Sequence, residues 1–141
     1  MKKQAGIWID SSKAIIVTLS EGNEHIMEIA SDVENLMRYD KQGDKGVFMG
    51  NHHINNEKTF EERKKHLINA FLKNVVEQIK GNDELYVFGP SETKLRLQNF
   101  IENTSHLFGN LKSIETADRM TPNQVVAKVK DFYGYNSSHS I

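Results

Sequence analysis

Two adjacent histidines, His52 and His53, stand in the stretch GNHHINNEKTFEER (50–63), beside Asn51, Asn55, Asn56 and Glu57. Imidazole binds zinc, copper and nickel, so the pair raises a metal site. Adjacent residues point in different directions on most backbones, so one ion would need further ligands, with Glu57 and His66 the nearest candidates. The chain has no cysteine, which removes thiolate ligands, a cysteine nucleophile and disulfides. Histidines in a polar loop do not by themselves specify a metal. We therefore expect exposed imidazoles, with no metal and no cofactor.

Carboxylates give the second possibility. Asp10, Asp118 and one of Glu57, Glu61 or Glu62 could nominally hold two Mg²⁺ ions for in-line attack on a phosphodiester. The strand ELYVFG (84–89) offers no carboxylate at its C-terminal end before Glu92. Asp10 has a simpler role, because an aspartate at a hairpin turn accepts bonds from local backbone N–H groups. We expect that role, and no catalytic residue is assigned.

FGPSETK (88–94) ends a strand and opens a helix, where open sheets place ligands and where a helix N-terminus attracts anions. It is too poor in glycine for a phosphate loop. Gly89 and Pro90 are expected to turn the chain and Ser91 to cap the helix. Asp118 and Arg119 precede another capped helix, and Lys94 and Arg96 are possible partners for Asp118. Arg63, Lys64, Lys65 and His66 form the most basic run. Between Glu57 and Lys65 there are four basic and three acidic residues, which reads as a solvated helix face able to touch phosphates.

These residues need elements to hold them. GIWID (6–10) and AIIVTLS (14–20) are rich in β-branched residues and flank DSSK, as in a hairpin. The second is apolar at nearly every position and should be covered on both faces. EGN turns the chain into a third strand, EHIMEIAS (24–31). Ser31 to Lys45 reads as an exposed polar loop, and VFM (47–49) as a short further strand. From Thr59 the apolar spacing becomes helical, with Phe60, Leu67, Ile68, Phe71, Leu72, Val75, Val76 and Ile79 on one face. Thr59 and Glu62 match a capping box, Asn55-Asn56 reads as a turn before it, and Gly81 marks the far end.

ELYVFG is a buried parallel strand, followed by a helix with Leu97, Phe100 and Ile101 facing inward. LKSIETA (111–117) is a fifth strand. The last helix has Thr121 as cap, Pro122 at its first position and Gln124 completing a capping box. Val125, Val126, Val129, Phe132 and Tyr133 form its apolar stripe. The order β-β-β-α-β-α-β-α predicts an α/β fold with a ribonuclease-H-like mixed five-stranded sheet flanked by helices. We expect one domain over residues 1–141, with 135–141 a frayed tail.

Hydrophobic residues make up 38% and charged residues 26%, a globular balance, while the net charge of −1 excludes a strongly basic field. DNA binding is not expected, and RNA contact would need a local patch. No segment is long and apolar enough for a signal-peptide core or a membrane span. A cytoplasmic location is expected.

GIWIDSSKAIIV, LYVFGPSETKLRLQNFI and IETADRMTPNQVVAKVKDFY together resemble small bacterial proteins related to the middle domain of eukaryotic and archaeal peptide chain release factors. FGPSETK and TADRMTPNQVVAKV carry most of that resemblance, which runs from Gly6 to Tyr133. It implies a ribonuclease-H-like domain of the translational machinery. In release factors this domain carries a Gly-Gly-Gln loop that helps water attack the peptidyl-tRNA ester. The equivalent region, Lys45 to Thr59, has no such tripeptide; none of the nine glycines is adjacent to another. The family's catalytic residues therefore do not carry over.

The expected function is that of a stand-alone, non-catalytic module associated with translation. The ribosome or tRNA is the partner implied by resemblance. Asn51, His52, His53, Arg63, Lys64 and Lys65 are the expected contact residues. The alternatives are a hydrolase (a diverged peptidyl-tRNA hydrolase or a Mg²⁺-dependent nuclease) and a protein-binding or self-associating domain, with a homo-oligomer as one form.

Overall fold

The computed structural model describes residues 2–33, 51–104, 107 and 109–135, with only the backbone for 51–57. Strands β1 (Gln4–Ile9), β2 (Lys13–Ser20) and β3 (Asn23–Ala30) precede helix α1 (Asn51–Ile79). Strand β4 (Glu84–Gly89), helix α2 (Thr93–Glu102), strand β5 (Leu111–Thr116) and helix α3 (Pro122–Phe132) follow. The sheet order is β3-β2-β1-β4-β5. The first three strands form an antiparallel meander, and β4 and β5 run parallel to β1. This is the expected ribonuclease-H-like mixed sheet.

Alternation along the strands divides the core between the two sheet faces. Ile7, Ile9, Ile16, Leu85 and Val87 pack against Phe71, Leu72, Val75 and Ile79 of α1 and Leu97 and Ile101 of α2. On the other face, Trp8, Ile15, Val17, Leu19, Tyr86 and Phe88 pack against Val125, Val126 and Val129 of α3. The near-continuous apolar runs of β2 and β4 are thus covered on both sides, as their composition predicts. Gly6 makes room for α3: a Cβ there would lie 2.2 Å from Val129 Cγ2. Gly89 lets β4 close on β1, since its Cβ would lie 2.1 Å from the Ile9 carbonyl oxygen.

The β2–β3 turn is two residues, Glu21 (φ 53°) and Gly22 (φ 82°), both left-handed. That is the hairpin turn whose twist matches the strands. The expected capping box of α3 is present: Gln124 N donates to Thr121 Oγ1 at 3.2 Å, and Thr121 N to Gln124 Oε1 at 2.9 Å.

Several expectations need correction. The helix begins at Asn51, so Thr59 and Glu62 lie inside α1 and form no cap, and Asn55-Asn56 is not a turn. No glycine or proline follows Gly50 before Gly81, so nothing in the backbone stops the helix from extending toward the N-terminus. Ser31 is no exposed loop residue. It is buried, its hydroxyl donates to the Ser11 carbonyl at 2.6 Å, and Val33, two residues on, joins the core. Tyr135 does not fray: its N–H donates to Lys130 O at 2.7 Å and its ring packs on the α3 core. Phe132 is half-exposed, yet it covers Tyr86 with ring centroids 3.9 Å apart. The VFM segment, most of the Ser31–Lys45 stretch and residues 136–141 lie outside the described residues.

Candidate functional site

Helix α1 carries the expected contact residues, Asn51, His52 and His53 in its first turn and Arg63, Lys64 and Lys65 further along. The backbones of Asn51, His52 and His53 are helical rather than looped; their side chains lie outside the described residues. Further along, residues 58, 61, 62, 65 and 68 follow helical spacing and line one side of a groove. Lys58, Glu61, Glu62, Lys64, Lys65 and Ile68 of α1 meet Arg96 of α2 around a space of ≈ 330 Å³. Arg63 is not part of it, because it projects about 200° around the helix from Lys65 at 100° per residue. The basic run is therefore split by the helix: Lys64 and Lys65 enter the groove and Arg63 faces away.

Four cations and two carboxylates line the groove. Among the described residues, the side chains of Lys58, Lys64, Lys65 and Arg96 make no ion pair or hydrogen bond. Such a groove attracts an anionic backbone by charge rather than by shape. Lys58 and Arg96 were not among the expected contacts. Lys58 becomes visible in the sequence once the helix is started early, as the spacing Lys58–Glu62–Lys65 shows. Arg96 enters only through the packing of α2 on α1.

Asp10 behaves as a turn residue. Its Oδ1 accepts from Ser12 N at 2.8 Å and Lys13 N at 2.9 Å. A second cleft, of ≈ 340 Å³, lies beside it, lined by Trp8, Asp10, Lys13, Glu28, Arg119 and Met120 among others. Lys13 pairs with Glu28 at 3.8 Å, so the cleft holds both charges in balance. Trp8 Nε1 donates to the Asp118 carbonyl at 3.1 Å, tying the segment before α3 to the sheet. Among the described residues, no three His, Asp or Glu side chains converge in a way that could hold a metal ion.

The β4–α2 corner is structural. The N-cap of α2 is Glu92, which makes no side-chain cap bond, so Ser91 sits one residue before the cap position expected for it. Ser91 Oγ accepts from Thr93 N at 3.4 Å. Lys94 is buried and donates to the Ser91 carbonyl at 2.9 Å, which commits it to the corner rather than to Asp118. On the α3 face, the Tyr86 hydroxyl donates to Glu115 Oε1 at 2.7 Å. Burial first, then that bond and the Glu115 charge, pushes the Tyr86 phenol well above the usual tyrosine range. Burial does the same to Tyr133, whose hydroxyl donates to Ala5 O at 2.9 Å. Among the described residues, no helix is long and apolar enough to cross a membrane.

No protein-family model and no curated protein matches the sequence. Among solved structures, the chain is similar to the Thermoplasma acidophilum Pelota protein, with a TM-score of 0.54 and 11% identity over 92% of this chain and 32% of that one. Archaeoglobus fulgidus Pelota aligns at a TM-score of 0.48 and 13% identity, over 94% of this chain and 33% of that one. The archaeal translation termination factor aRF1 aligns at 0.47 and 12%, over 98% of this chain and 42% of that one. The chain thus spans about a third of Pelota's length, and the first of these likenesses shows a shared fold.

Proposed function

We propose that this chain is a translation-associated module of the release-factor-middle-domain type. It meets ribosomal RNA or tRNA through the cationic groove between α1 and α2 and performs no hydrolysis. The observation that carries this reading is the set of four cations gathered there, free of ion pairs among the described residues. A protein of net charge −1 binds RNA only where positive charge is concentrated. The motifs that resemble release-factor middle domains, and a fold shared with part of Pelota, supply the choice of partner. Asn51, His52 and His53, in the first turn of the same helix, extend the contact.

Hydrolysis would need groups placed to activate water. The sequence has no Gly-Gly-Gln, and the Asp10 carboxylate serves its own turn. The test is release of labelled peptide from peptidyl-tRNA on ribosomes. No release above buffer is expected at any protein concentration. Release that disappears in His52→Ala or His53→Ala would overturn the non-catalytic reading.

A further inference from the structure

Strand β3 ends the sheet on one side, and among the described residues nothing pairs with its outer edge. Its neighbour fixes which backbone groups face outward. The two-residue turn closes on the pair Ser20–Asn23, and in such a hairpin that pair exchanges both backbone hydrogen bonds. Alternation then turns His25, Met27 and Ile29 toward β2 as well. Ser31 continues the series, donating its N–H to Ser12 O at 2.9 Å. Glu24, Ile26, Glu28 and Ala30 therefore present their N–H and C=O groups to the open edge.

Edge strands in natural proteins are blunted by charged side chains, above all lysine, by proline, by bulges, by shortness or by a covering segment. Of these, β3 shows among the described residues only two glutamates. It runs eight residues in unbroken register with β2 and contains no lysine, proline or glycine. Ile26 and Met27, on opposite faces, are 49% and 44% exposed. Its two carboxylates are each met within the chain, Glu24 by Lys130 and Glu28 by Lys13. Among the described residues, this uncovered edge with its exposed apolar side chains is a template for another strand.

We propose that β3 pairs antiparallel with β3 of a second copy of this chain, about a two-fold axis through Met27. Residues opposed across such a pair share a face, which limits the possible centres. An axis at Ile26 would set Glu24 against Glu28 of the second copy, and an axis at Glu28 would set the two Glu28 side chains together; opposed like charges are destabilising. An axis at Met27 avoids both. It opposes Ile26 to Glu28, Glu24 to Ala30 and His25 to Ile29, with the two methionines in contact on the axis. All four outward-facing residues then find backbone partners. The two-fold axis stands perpendicular to the sheet, so both α1 helices lie on the same side. The pairing stands independently of the RNA-contact reading.

The test is sedimentation velocity on the full chain from micromolar to submillimolar concentration. A reversible monomer–dimer equilibrium is expected. Ile26→Pro removes an outward N–H that the β2–β3 hairpin does not use, and is expected to weaken the dimer about tenfold or more. Met27→Lys places like charges on the axis, with a similar loss. Leu95→Lys, at an exposed leucine on α2, is expected to leave the dimer unchanged. Thermal unfolding of each variant reports on its fold, and if Ile26→Pro is misfolded, Met27→Lys decides. A monomer at every concentration overturns the proposal. So does a dimer that survives Met27→Lys.

Discussion

The contact between Gly6 and Val129 should behave as a lock in which each residue occupies the space the other leaves. A Cβ at position 6 would lie 2.2, 2.8 and 3.0 Å from Cγ2, Cγ1 and Cβ of Val129. Both methyls are in the way, so rotating the valine offers no escape, and Val129 is fully buried. Gly6→Ala should therefore cost about 3 kcal/mol, the upper part of the overpacking range. Val129→Ala removes two buried methyls, about 1.6 kcal/mol of transfer energy at ~0.8 each, plus a cavity, or roughly 2 to 3 kcal/mol. Independent effects would sum to about 5 to 6 kcal/mol. In the double variant the new methyl at position 6 fills the void, and only the 3.0 Å Cβ–Cβ approach remains to be relieved. The double variant should lose only about 2.5 kcal/mol, a favourable coupling of similar size. Urea unfolding followed by the fluorescence of Trp8, the single tryptophan and a member of the same cluster, measures all four proteins. A double variant as unstable as the sum of the singles would refute the packing of α3 on β1 described above.

Thr121→Ala should cost about 1 kcal/mol through loss of the α3 cap, whereas Thr59→Ala, inside α1 and exposed, should cost about 0.5 kcal/mol or less. Paired thermal melts of the two variants check this, and a full capping loss at Thr59 would place the helix start there after all. Glu84 is held below the usual carboxylate range by the Gln4 amide, which donates to it at 2.6 Å, outweighing burial, with Lys2 and Lys112 adding to the shift. A depressed folded pKa means stability that is present above the unfolded value, about 4.3, and lost as pH falls through the folded one. Glu84→Gln should therefore unfold with a shallower acid limb below about pH 4, read by circular dichroism. The raised phenols of Tyr86 and Tyr133 act in the opposite sense: stability present below about pH 10 is lost as pH rises above it, and Tyr86→Phe should soften that alkaline limb.

Much of the fold was legible because each element carried its own signal. The apolar runs at 14–19 and 84–89 marked strands covered on both faces, and Thr121, Pro122 and Gln124 fixed the start of α3 to the residue. The start of α1 was misread because a Thr-x-x-Glu pattern is short and recurs inside helices. The residues before it contain no helix breaker to decide the matter. The groove was only half legible. Lys64 and Lys65 stood out as charge, but which basic residues share a side depends on helical phase, and Arg96 arrives from a different element. Asp10 was read correctly as a turn residue, since its short side chain meets the N–H groups two and three residues on. The place of β3 at the end of the strand order had no sequence signature, because strand order is set by pairing between segments distant in the chain.

In the proposed function, the groove between α1 and α2 holds this chain to the translational machinery, and co-sedimentation with ribosomes at low and at moderate salt tests that contact. The wild type should pellet with ribosomes at low salt and less so at moderate salt, as phosphate contacts require. A Lys64→Glu, Lys65→Glu, Arg96→Glu triple variant should stay in the supernatant, while Arg63→Glu, on the other side of the helix, should pellet nearly as the wild type does. Absence of the wild type from the pellet at both salts, or equal pelleting of the triple variant, would show that the groove is not the ribosome contact.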